Sequence, residues 1–407
     1  MSFVRFIAYS ANTTNHLQRR RRHPLRIAIV TSSYPLKEID GQAAAGLFVR
    51  DFAAAVASQG HEVHVVTQNK GNGCSFSPKG VTVHCFDWLG GDRTLSSLKV
   101  SHIKDVRAAN SYLASGKRKL CQLHNETPID HVLAMWAVPG GLLARALCKR
   151  CGVPYSVWCL GSDIWTYGKI PILKSRVAGV LRSASFRYAD GLKLRDDAKK
   201  LSGTDVSFMP SSRAIKRPNA AQTDRKPGAT RFLFVGRYDR VKGVDVLLRA
   251  MRIYIDNGNI GTLKMLGGGS MDDESRTLAK DLNLLEHVAI GGYADGPEVA
   301  NAILASDALV IPSRNESIPL VLSDALGLGK PVIASDVGDM GDLLRETTAG
   351  IVVQPDDAKD LADALAEFAA APAGRFDEAV ARLALRFDIH NTAKRFLADI
   401  AEETPCA

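Results

Sequence analysis

The sequence has 407 residues, of which 46% are hydrophobic and 23% are charged, and its formal net charge is +9 at pH 7. This length exceeds what one hydrophobic core usually supports, so two domains are expected. The chain has no run of about 18 apolar residues, which argues against a membrane span. It also has neither zinc-finger spacing nor a basic module interleaved with aromatic residues, so nucleic acid is not expected as a partner.

The first 25 residues predict a disordered basic tail. An arginine-rich stretch at 18–23 follows a polar segment, whereas a secretory signal places its charges first and an apolar segment next. The seven cysteines are spread over a long chain, which favours free thiols in a reducing compartment and therefore a cytoplasmic location. Cys148 and Cys151 have CxxC spacing in a helix-like stretch, where packing is favoured over redox or metal chemistry, and no metal site is predicted.

Strand and helix signals alternate through residues 26–213, which predicts an N-terminal Rossmann-like domain with a parallel sheet. Strands are predicted at 26–32, 62–68, 81–86, 131–135, 154–160, 191–194 and 206–209, with helices at 47–59, 140–151 and 172–188. Residues 214–230 are proline-rich, basic and poor in large apolar side chains, as expected of a linker.

The same alternation restarts after the linker and predicts a second Rossmann-like domain over residues 231–385. Its strands are predicted at 231–236, 263–267, 288–291, 308–311, 332–335 and 351–354. Residues 386–407 are predicted to form a closing C-terminal helix. The expected architecture is therefore α/β, with two doubly wound domains facing each other across a cleft.

The segment from 308 to 337 is the most informative part of the chain. The predicted strand at 308–311 ends in a polar loop, and the carboxyl ends of such strands are where open α/β sheets bind ligands. A helix is predicted at 318–328 with Pro319 in its first turn, where the free N–H groups favour a phosphate or sugar hydroxyls. Ser317, Ile318, Pro319 and Leu320 are therefore candidate donor-binding residues.

Two carboxylates flank this predicted anion site. Glu316 precedes the first turn, and Asp324 lies about two turns further along, a rise of roughly 10 Å. This spacing would hold sugar hydroxyls at one end and ribose hydroxyls at the other, with a diphosphate between them.

A second loop, after the strand predicted at 231–236, supplies two cations. Gly236 lets the backbone approach a ligand, and Arg237 and Lys242 near the following helix could neutralise a diphosphate, although a solvated basic turn would look the same. Gly268 lies in a glycine-rich strand end that lacks the GxGxxG pattern and is weak evidence for a phosphate loop. Tyr293 could stack on a base or simply pack.

The first domain offers looser candidates for the opposite side of the cleft. Gly46 near a helix start could admit a phosphate, or belong to an ordinary flexible connection. Asp163, in the Gly-Ser-Asp segment after the strand predicted at 154–160, could bind an acceptor hydroxyl or cap the next helix.

Taken together, VGRYDRVKGVDVLLRA, PSRNESIPLVLSDALGLGKPVIASDVG, GHEVHVVT and GSDI resemble the family-4 retaining glycosyltransferases of GT-B fold (glycosyl transferases group 1), over residues 26–368. The resemblance implies that Arg237 and Lys242 bind the donor diphosphate and that Glu316 contacts the donor sugar. It also implies that Asp324, at a position where relatives have Glu, holds the ribose.

Besides Asp324, the chain departs from the family pattern at four positions. Ser317 and Ile318 replace a glycine and an aromatic residue, which implies an altered sugar pocket. Leu160 and Met135 stand where relatives often have histidine, and neither can accept a proton.

The resemblance also implies the chemistry. The donor is a nucleotide-diphosphate sugar used as co-substrate without a further cofactor, and the acceptor is a glycan or a lipid-linked hydroxyl. In the family's front-face mechanism a phosphate oxygen takes the acceptor proton, so a protein base is not obligatory. A role in cell-surface polysaccharide or glycolipid synthesis, with peripheral contact at the inner face of the membrane, is expected.

Two other interpretations remain open from the sequence. Leu160, Met135 and Asp324 are compatible with a non-catalytic sugar-nucleotide binder or a degenerate subunit. A nicotinamide-dependent oxidoreductase is disfavoured because the GxGxxG fingerprint is missing.

Overall fold

The computed structural model of the protein describes residues 23–35, 44–70, 78–98, 102–215, 217–218 and 228–402. Within these residues the first sheet has seven parallel strands in the order β3-β2-β1-β4-β5-β6-β7. The strands are β1 (Arg26–Val30), β2 (Glu62–Gln68), β3 (Val81–Phe86), β4 (His131–Met135), β5 (Tyr155–Cys159), β6 (Arg187–Ala189) and β7 (Ser207–Phe208).

Helices cover both faces of this sheet. They are α1 (Ala44–Ala57), α2 (Ile103–Glu126), α3 (Gly141–Cys151), α4 (Ser162–Trp165), α5 (Pro171–Ser183) and α6 (Leu192–Ser202). Every residue of β4 and β5 is buried, because a parallel strand covered on two faces exposes neither set of side chains.

The second sheet has six parallel strands within the described residues, in the order β10-β9-β8-β11-β12-β13. The strands are β8 (Thr230–Val235), β9 (Gly261–Leu266), β10 (Val288–Ile290), β11 (Ala308–Ile311), β12 (Val332–Ser335) and β13 (Gly350–Val353). The helices are α7 (Val244–Asp256), α8 (Asp272–Asp281), α9 (Gly296–Ala305), α10 (Leu320–Gly327), α11 (Met340–Thr347), α12 (Ala358–Ala370), α13 (Asp377–Ala384) and α14 (Ile389–Glu402).

Both sheets reverse their strand order in the middle, at β1 next to β4 and at β8 next to β11. In open α/β sheets such a reversal opens a crevice at the carboxyl ends of the strands. The prediction of two doubly wound Rossmann-like domains is therefore confirmed.

One strand prediction in the first domain is wrong, and one helix was missed. The strand predicted at 191–194 is the start of α6, in which Leu194 and Ala198 are buried at helical spacing. The strand of that region is β6, a few residues earlier. The long helix α2 was not predicted, because its mean hydropathy is low and the buried side chains are widely spaced along a polar surface.

The two domains begin slightly earlier in the chain than predicted. Leu25, assigned to the basic tail, is buried in the core of the first domain, whereas residues 1–22 of that tail lie outside the described residues. Of the linker, residues 216 and 219–227 also lie outside them, and Thr230 already belongs to β8.

The C-terminal helix α14 returns to the first domain. It packs on α1, where the rings of Phe396 and Phe52 lie 5.7 Å apart, and the Tyr188 hydroxyl donates to Asp399 at 2.8 Å. The helix α14 is thus held by the N-terminal domain.

The prediction of free thiols is correct for four described cysteines and wrong for one. Cys121, Cys148, Cys151 and Cys159 are free, but Cys85 is disulfide-bonded. Among the described residues, no helix is both long and apolar enough to cross a bilayer.

Candidate active site

Two loops of the second domain meet at one edge of its sheet. The loop after β8 carries Arg237 and Lys242, and the loop after β11 carries Glu316. Because β8 and β11 pair directly and in parallel, their following loops emerge side by side. The two loops come into close contact at Gly243, which has a φ of 68°. A Cβ there would lie 2.0 Å from the Pro312 carbonyl oxygen. Only glycine fits this close approach.

Arg314 ties the two loops together. Its guanidinium donates to both oxygens of Asp245 at 2.8 Å each and to the Arg240 carbonyl at 2.7 Å. It also reaches Asp356 at 2.6 Å. The hydrogen bonds from Arg314 hold the pKa of the Asp245 carboxyl below its usual range. Sequence reasoning missed Arg314, because its partners lie 42 to 74 residues away in the chain.

The structure brings Lys242 and Glu316 together. The Lys242 ammonium forms an ion pair with a Glu316 carboxylate oxygen, and both side chains are about one-fifth exposed. Arg237 is 68% exposed and lies 3.2 Å from Asp239. The other Asp239 oxygen accepts the Lys242 backbone N–H at 3.1 Å. Asp239, which the sequence analysis also missed, therefore helps to position both cations.

The remaining candidates on the donor loop differ in how they face the crevice. Ile318 is buried in the core of the second domain. Pro319 is the residue just before α10, and Leu320 packs against the core of the first domain. The Ser317 hydroxyl is buried without a hydrogen-bond partner among the described residues.

Asp324 is placed differently from the prediction. Its side chain is fully buried, and its carboxylate is bound by Arg213, with one contact at 3.2 Å from Nε to Oδ1. Burial holds the pKa of Asp324 above its usual value, although the charge of Arg213 lowers it in part. The carboxylate thus has no exposed oxygen for a ribose in this conformation.

Arg213 lies where the chain crosses between the domains. The next residue, Ala214, donates its backbone N–H to Asp51 of α1 at 3.0 Å. The segment at Arg213 and Ala214 is therefore bound by Asp51 of the first domain and by Asp324 of the second. Sequence reasoning missed this arrangement, because Arg213 and Asp324 are 111 residues apart.

The glycines and the tyrosine line the neighbouring strand ends. Gly236 follows β8, and Gly268 follows β9. The Tyr293 ring lies over Gly268, and its hydroxyl donates to the Gly268 carbonyl at 3.0 Å. Because Tyr293 remains 72% exposed, stacking on a base stays a prediction.

The first-domain candidates are held inside the protein. Gly46 lies in the first turn of α1, where a Cβ would lie 3.1 Å from the backbone N and Cα of Tyr34. Residues 36–43 before it lie outside the described part. Asp163 is fully buried and accepts the backbone N–H of Ala137 at 2.8 Å and of Leu160 at 3.3 Å. It ties the loops after β4 and β5 and offers no exposed oxygen to an acceptor.

The two domains touch beside the donor loop. Asp339 of the second domain accepts the Lys193 backbone N–H at the start of α6 at 3.0 Å. A Cβ on Gly191 would lie 2.4 Å from Asp339 and 3.0 Å from the Ser317 hydroxyl, so the contact depends on glycine. Burial first, then the charges of Asp163 and Asp339, raise the pKa of neighbouring Asp190 to about 8.

Two family models match the chain, one for each domain. The model of the glycosyl transferase 4-like domain matches residues 44–192, and the model of glycosyl transferases group 1 matches residues 216–382. With the two facing Rossmann-like domains, these matches show that the chain belongs to the family-4-like glycosyltransferases of GT-B fold, a class of transferase enzymes.

Similar proteins support this assignment. The chain is 28% identical over 253 residues to a putative teichuronic acid biosynthesis glycosyltransferase of Bacillus subtilis (strain 168), a match that covers 59% of this chain and 61% of the relative. Sucrose-phosphate synthase from Thermosynechococcus elongatus has a TM-score of 0.69 at 20% identity, covering 91% of this chain and 97% of that one. HepE of Anabaena, solved with UDP and glucose, has a TM-score of 0.64 at 15% identity, covering 92% and 98%. At these identities the solved structures show the fold alone.

Proposed function

We propose that the protein transfers a sugar from a nucleotide-diphosphate sugar to a hydroxyl of a glycan or lipid-linked acceptor. The observation that carries this proposal is the contact between Lys242 and Glu316 at the carboxyl edge of the second sheet, with the exposed Arg237 on the same loop as Lys242. Two cations beside one carboxylate match a ligand that joins a diphosphate to a sugar.

The ion pair between Lys242 and Glu316 is a site that the donor would rearrange. A diphosphate offers Lys242 more negative charge than one carboxylate does, and the sugar hydroxyls can donate to the Glu316 oxygens that are released. Arg237 is 68% exposed and is the second cation available to the diphosphate. Donor binding would thus exchange one internal ion pair for contacts at both ends of the leaving group.

The proposed reaction retains the configuration of the transferred sugar. The bond between the anomeric carbon and the diphosphate oxygen breaks, and the acceptor oxygen bonds to the same face of that carbon. The acceptor proton passes to the departing phosphate oxygen. Met135 is fully buried, Leu160 packs against the first-domain core and Asp163 is buried, so these three positions supply no base at the crevice. Stabilisation of the leaving diphosphate would then carry most of the catalysis.

The two cations of the donor site also affect whether a metal ion is needed. Arg237 and Lys242 supply positive charge where other enzymes use a divalent ion to neutralise a diphosphate. We therefore expect transfer to proceed without a cofactor or divalent metal, and turnover in excess EDTA should equal turnover in magnesium. A loss of turnover that magnesium restores would contradict this expectation.

The donor base and the pathway are also proposals. UDP is the first nucleotide to test, because the similar HepE structure binds it. The teichuronic acid relative favours a role in cell-surface polysaccharide synthesis. We place the reaction in the cytoplasm, with the protein peripherally bound at the inner face of the membrane.

The decisive experiment is a panel of uridine, guanosine and adenosine diphosphate sugars, scored by both thermal stabilisation and donor hydrolysis. A donor at about 100 times its Kd should stabilise the protein by about 2.7 kcal/mol. Stabilisation with slow hydrolysis supports a transferase. Stabilisation without any turnover, with or without acceptor, would instead support the non-catalytic binder, and no stabilisation would reject both.

A further inference from the structure

The first domain contains an apolar cavity at the same sheet edge as the crevice. Its volume is about 220 Å³, and its walls come mainly from α2, from α5 and from the loop after β4, with Leu98 before α2 and Leu142 of α3. Apolar lining residues include Leu98, Val106, Leu113, Val138, Leu142 and Leu173. The volume is below the roughly 300 Å³ at which pockets for drug-sized ligands begin, so the cavity suits a short length of hydrocarbon rather than a whole sugar.

The position of the cavity connects it to the acceptor side. Val138 follows β4, and Leu173 follows the α4 segment that continues from β5. Because these strands are parallel neighbours, both loops lie at the carboxyl edge of the sheet. Asp163 links the loops by accepting the Ala137 and Leu160 amides. The cavity is therefore built on the loops that face the second domain.

The surface around the cavity is also apolar. Ile103 is 74% exposed, Ile172 is 73% exposed, and the lining residue Val106 is 41% exposed. These side chains belong to the helices that form the walls, α2 and α5. A water-soluble glycan gains nothing from exposed aliphatic groups, whereas a hydrocarbon chain would bury them.

Exposed cations lie next to these apolar residues in the sequence, and one of them, Arg176, lines the cavity. Lys104 and Arg107 on α2, and Lys169, Lys174 and Arg176 on or just before α5, are all exposed. None of the five forms an ion pair with a carboxylate among the described residues. The buried carboxylate nearby, Asp105, is already bound by Arg93 at 2.8 Å. The rim is thus complementary to an anionic headgroup on an apolar chain.

We propose that this cavity binds the hydrocarbon chain of a lipid-linked acceptor, with the phosphate of that lipid held by the cations at the rim. This inference rests on the proposed function, since it names the class of acceptor for that transferase. The proposal commits to a single amphiphile, an isoprenoid or alkyl phosphate carrying the acceptor sugar, rather than to a bilayer surface.

The test uses farnesyl phosphate as the probe and titration calorimetry as the readout. Wild-type protein should bind farnesyl phosphate at least about tenfold more tightly than inorganic phosphate, with a negative heat-capacity change from apolar burial. Ala109→Trp fills the cavity from α2 and should weaken farnesyl phosphate binding by about tenfold or more. Ala114→Trp, on an exposed position of the same helix, should leave it unchanged.

A charge pair of variants tests the rim. The double variant Lys104→Glu and Arg107→Glu should weaken farnesyl phosphate binding. The control, Lys117→Glu and Arg118→Glu, makes the same change of net charge further along α2 and should leave that binding unchanged. Equal binding by all variants, or the absence of farnesyl phosphate binding, would overturn the proposal. Binding to phosphatidylglycerol vesicles without binding to farnesyl phosphate would also overturn it and indicate membrane docking.

UDP affinity and donor hydrolysis are measured on the same samples. If Ala109→Trp loses farnesyl phosphate binding but keeps both donor properties, the lipid site is supported independently of the donor site. If wild-type protein hydrolyses donors and glycosylates a water-soluble glycan but does not bind farnesyl phosphate, the lipid site fails and the proposed function stands. If farnesyl phosphate binds and no donor does, the proposed function fails instead.

Discussion

The two sides of the crevice differ in chemistry. The second-domain side is built from charged loops that are tied to each other, with Arg314 bridging Asp245 and Asp356 behind the pair of Lys242 and Glu316. The first-domain side has a buried Asp163 and an apolar cavity. This contrast agrees with the proposal that charge recognises the donor, whereas apolar contact recognises the acceptor.

The largest expected effect comes from removing the ammonium group at the donor side. Lys242→Ala should lower kcat/KM by about 10³, because the leaving diphosphate loses a charge that acts in the transition state. Arg240→Ala, an exposed cation in the same turn, should change kcat/KM by less than about threefold. Steady-state transfer kinetics measure both, and equal losses would show that only the general positive charge matters.

Glu316→Gln should separate nucleotide binding from transfer. The substitution keeps the shape of the side chain and frees Lys242, so UDP should bind at least as tightly as to wild type. Transfer should fall by about 10², since the amide is a weaker partner for sugar hydroxyls. Calorimetry with UDP and initial-rate assays check the two halves. A parallel loss of UDP affinity and transfer would mean that Glu316 only supports the loop.

Arg314→Ala should act through stability and loop position. It leaves the Asp245 carboxylate, which is only 17% exposed, without its partner, and we expect a loss of about 2 kcal/mol in the free energy of unfolding. Transfer should fall by about tenfold as the two loops separate. Lys359→Ala breaks an exposed pair with Asp363 and should cost no more than about 0.5 kcal/mol. Denaturant unfolding would contradict this account if the two variants lost equal stability.

The last prediction concerns the pH dependence of stability at the contact between the domains. The pKa of Asp190 is raised to about 8, whereas the unfolded carboxyl titrates near 3.9. The folded state therefore holds the extra proton between about pH 4 and pH 8, and its stability should fall as pH rises through that window. Asp190→Asn should flatten the pH dependence of unfolding, and Asp273→Asn on the exposed surface of α8 should not. Parallel curves for wild type and Asp190→Asn would contradict the assignment.

Local patterns revealed most of the fold and part of the site. Buried parallel strands such as β4 and β11 are short apolar runs that can be seen directly, but the polar α2 lacks such a signal, and the alternating apolar residues at 191–194 resembled a strand. Lys242 and Glu316 could be found because each lies beside a strand end in a motif. Asp324 could not be placed correctly, because Arg213, which occupies it, comes from a distant part of the chain.

The cavity of the first domain illustrates the same limit. Its walls combine side chains from α2, α5 and the loop after β4, and no single segment shows the pattern. Packing across the sequence, rather than any motif, creates it.

The most direct test of the central claim is a crystal structure of the protein with UDP. We expect phosphate oxygens within about 3 Å of both the Arg237 guanidinium and the Lys242 ammonium, in the crevice between the domains. UDP bound elsewhere, or bound in the crevice with neither cation within hydrogen-bonding distance of its phosphates, would contradict it.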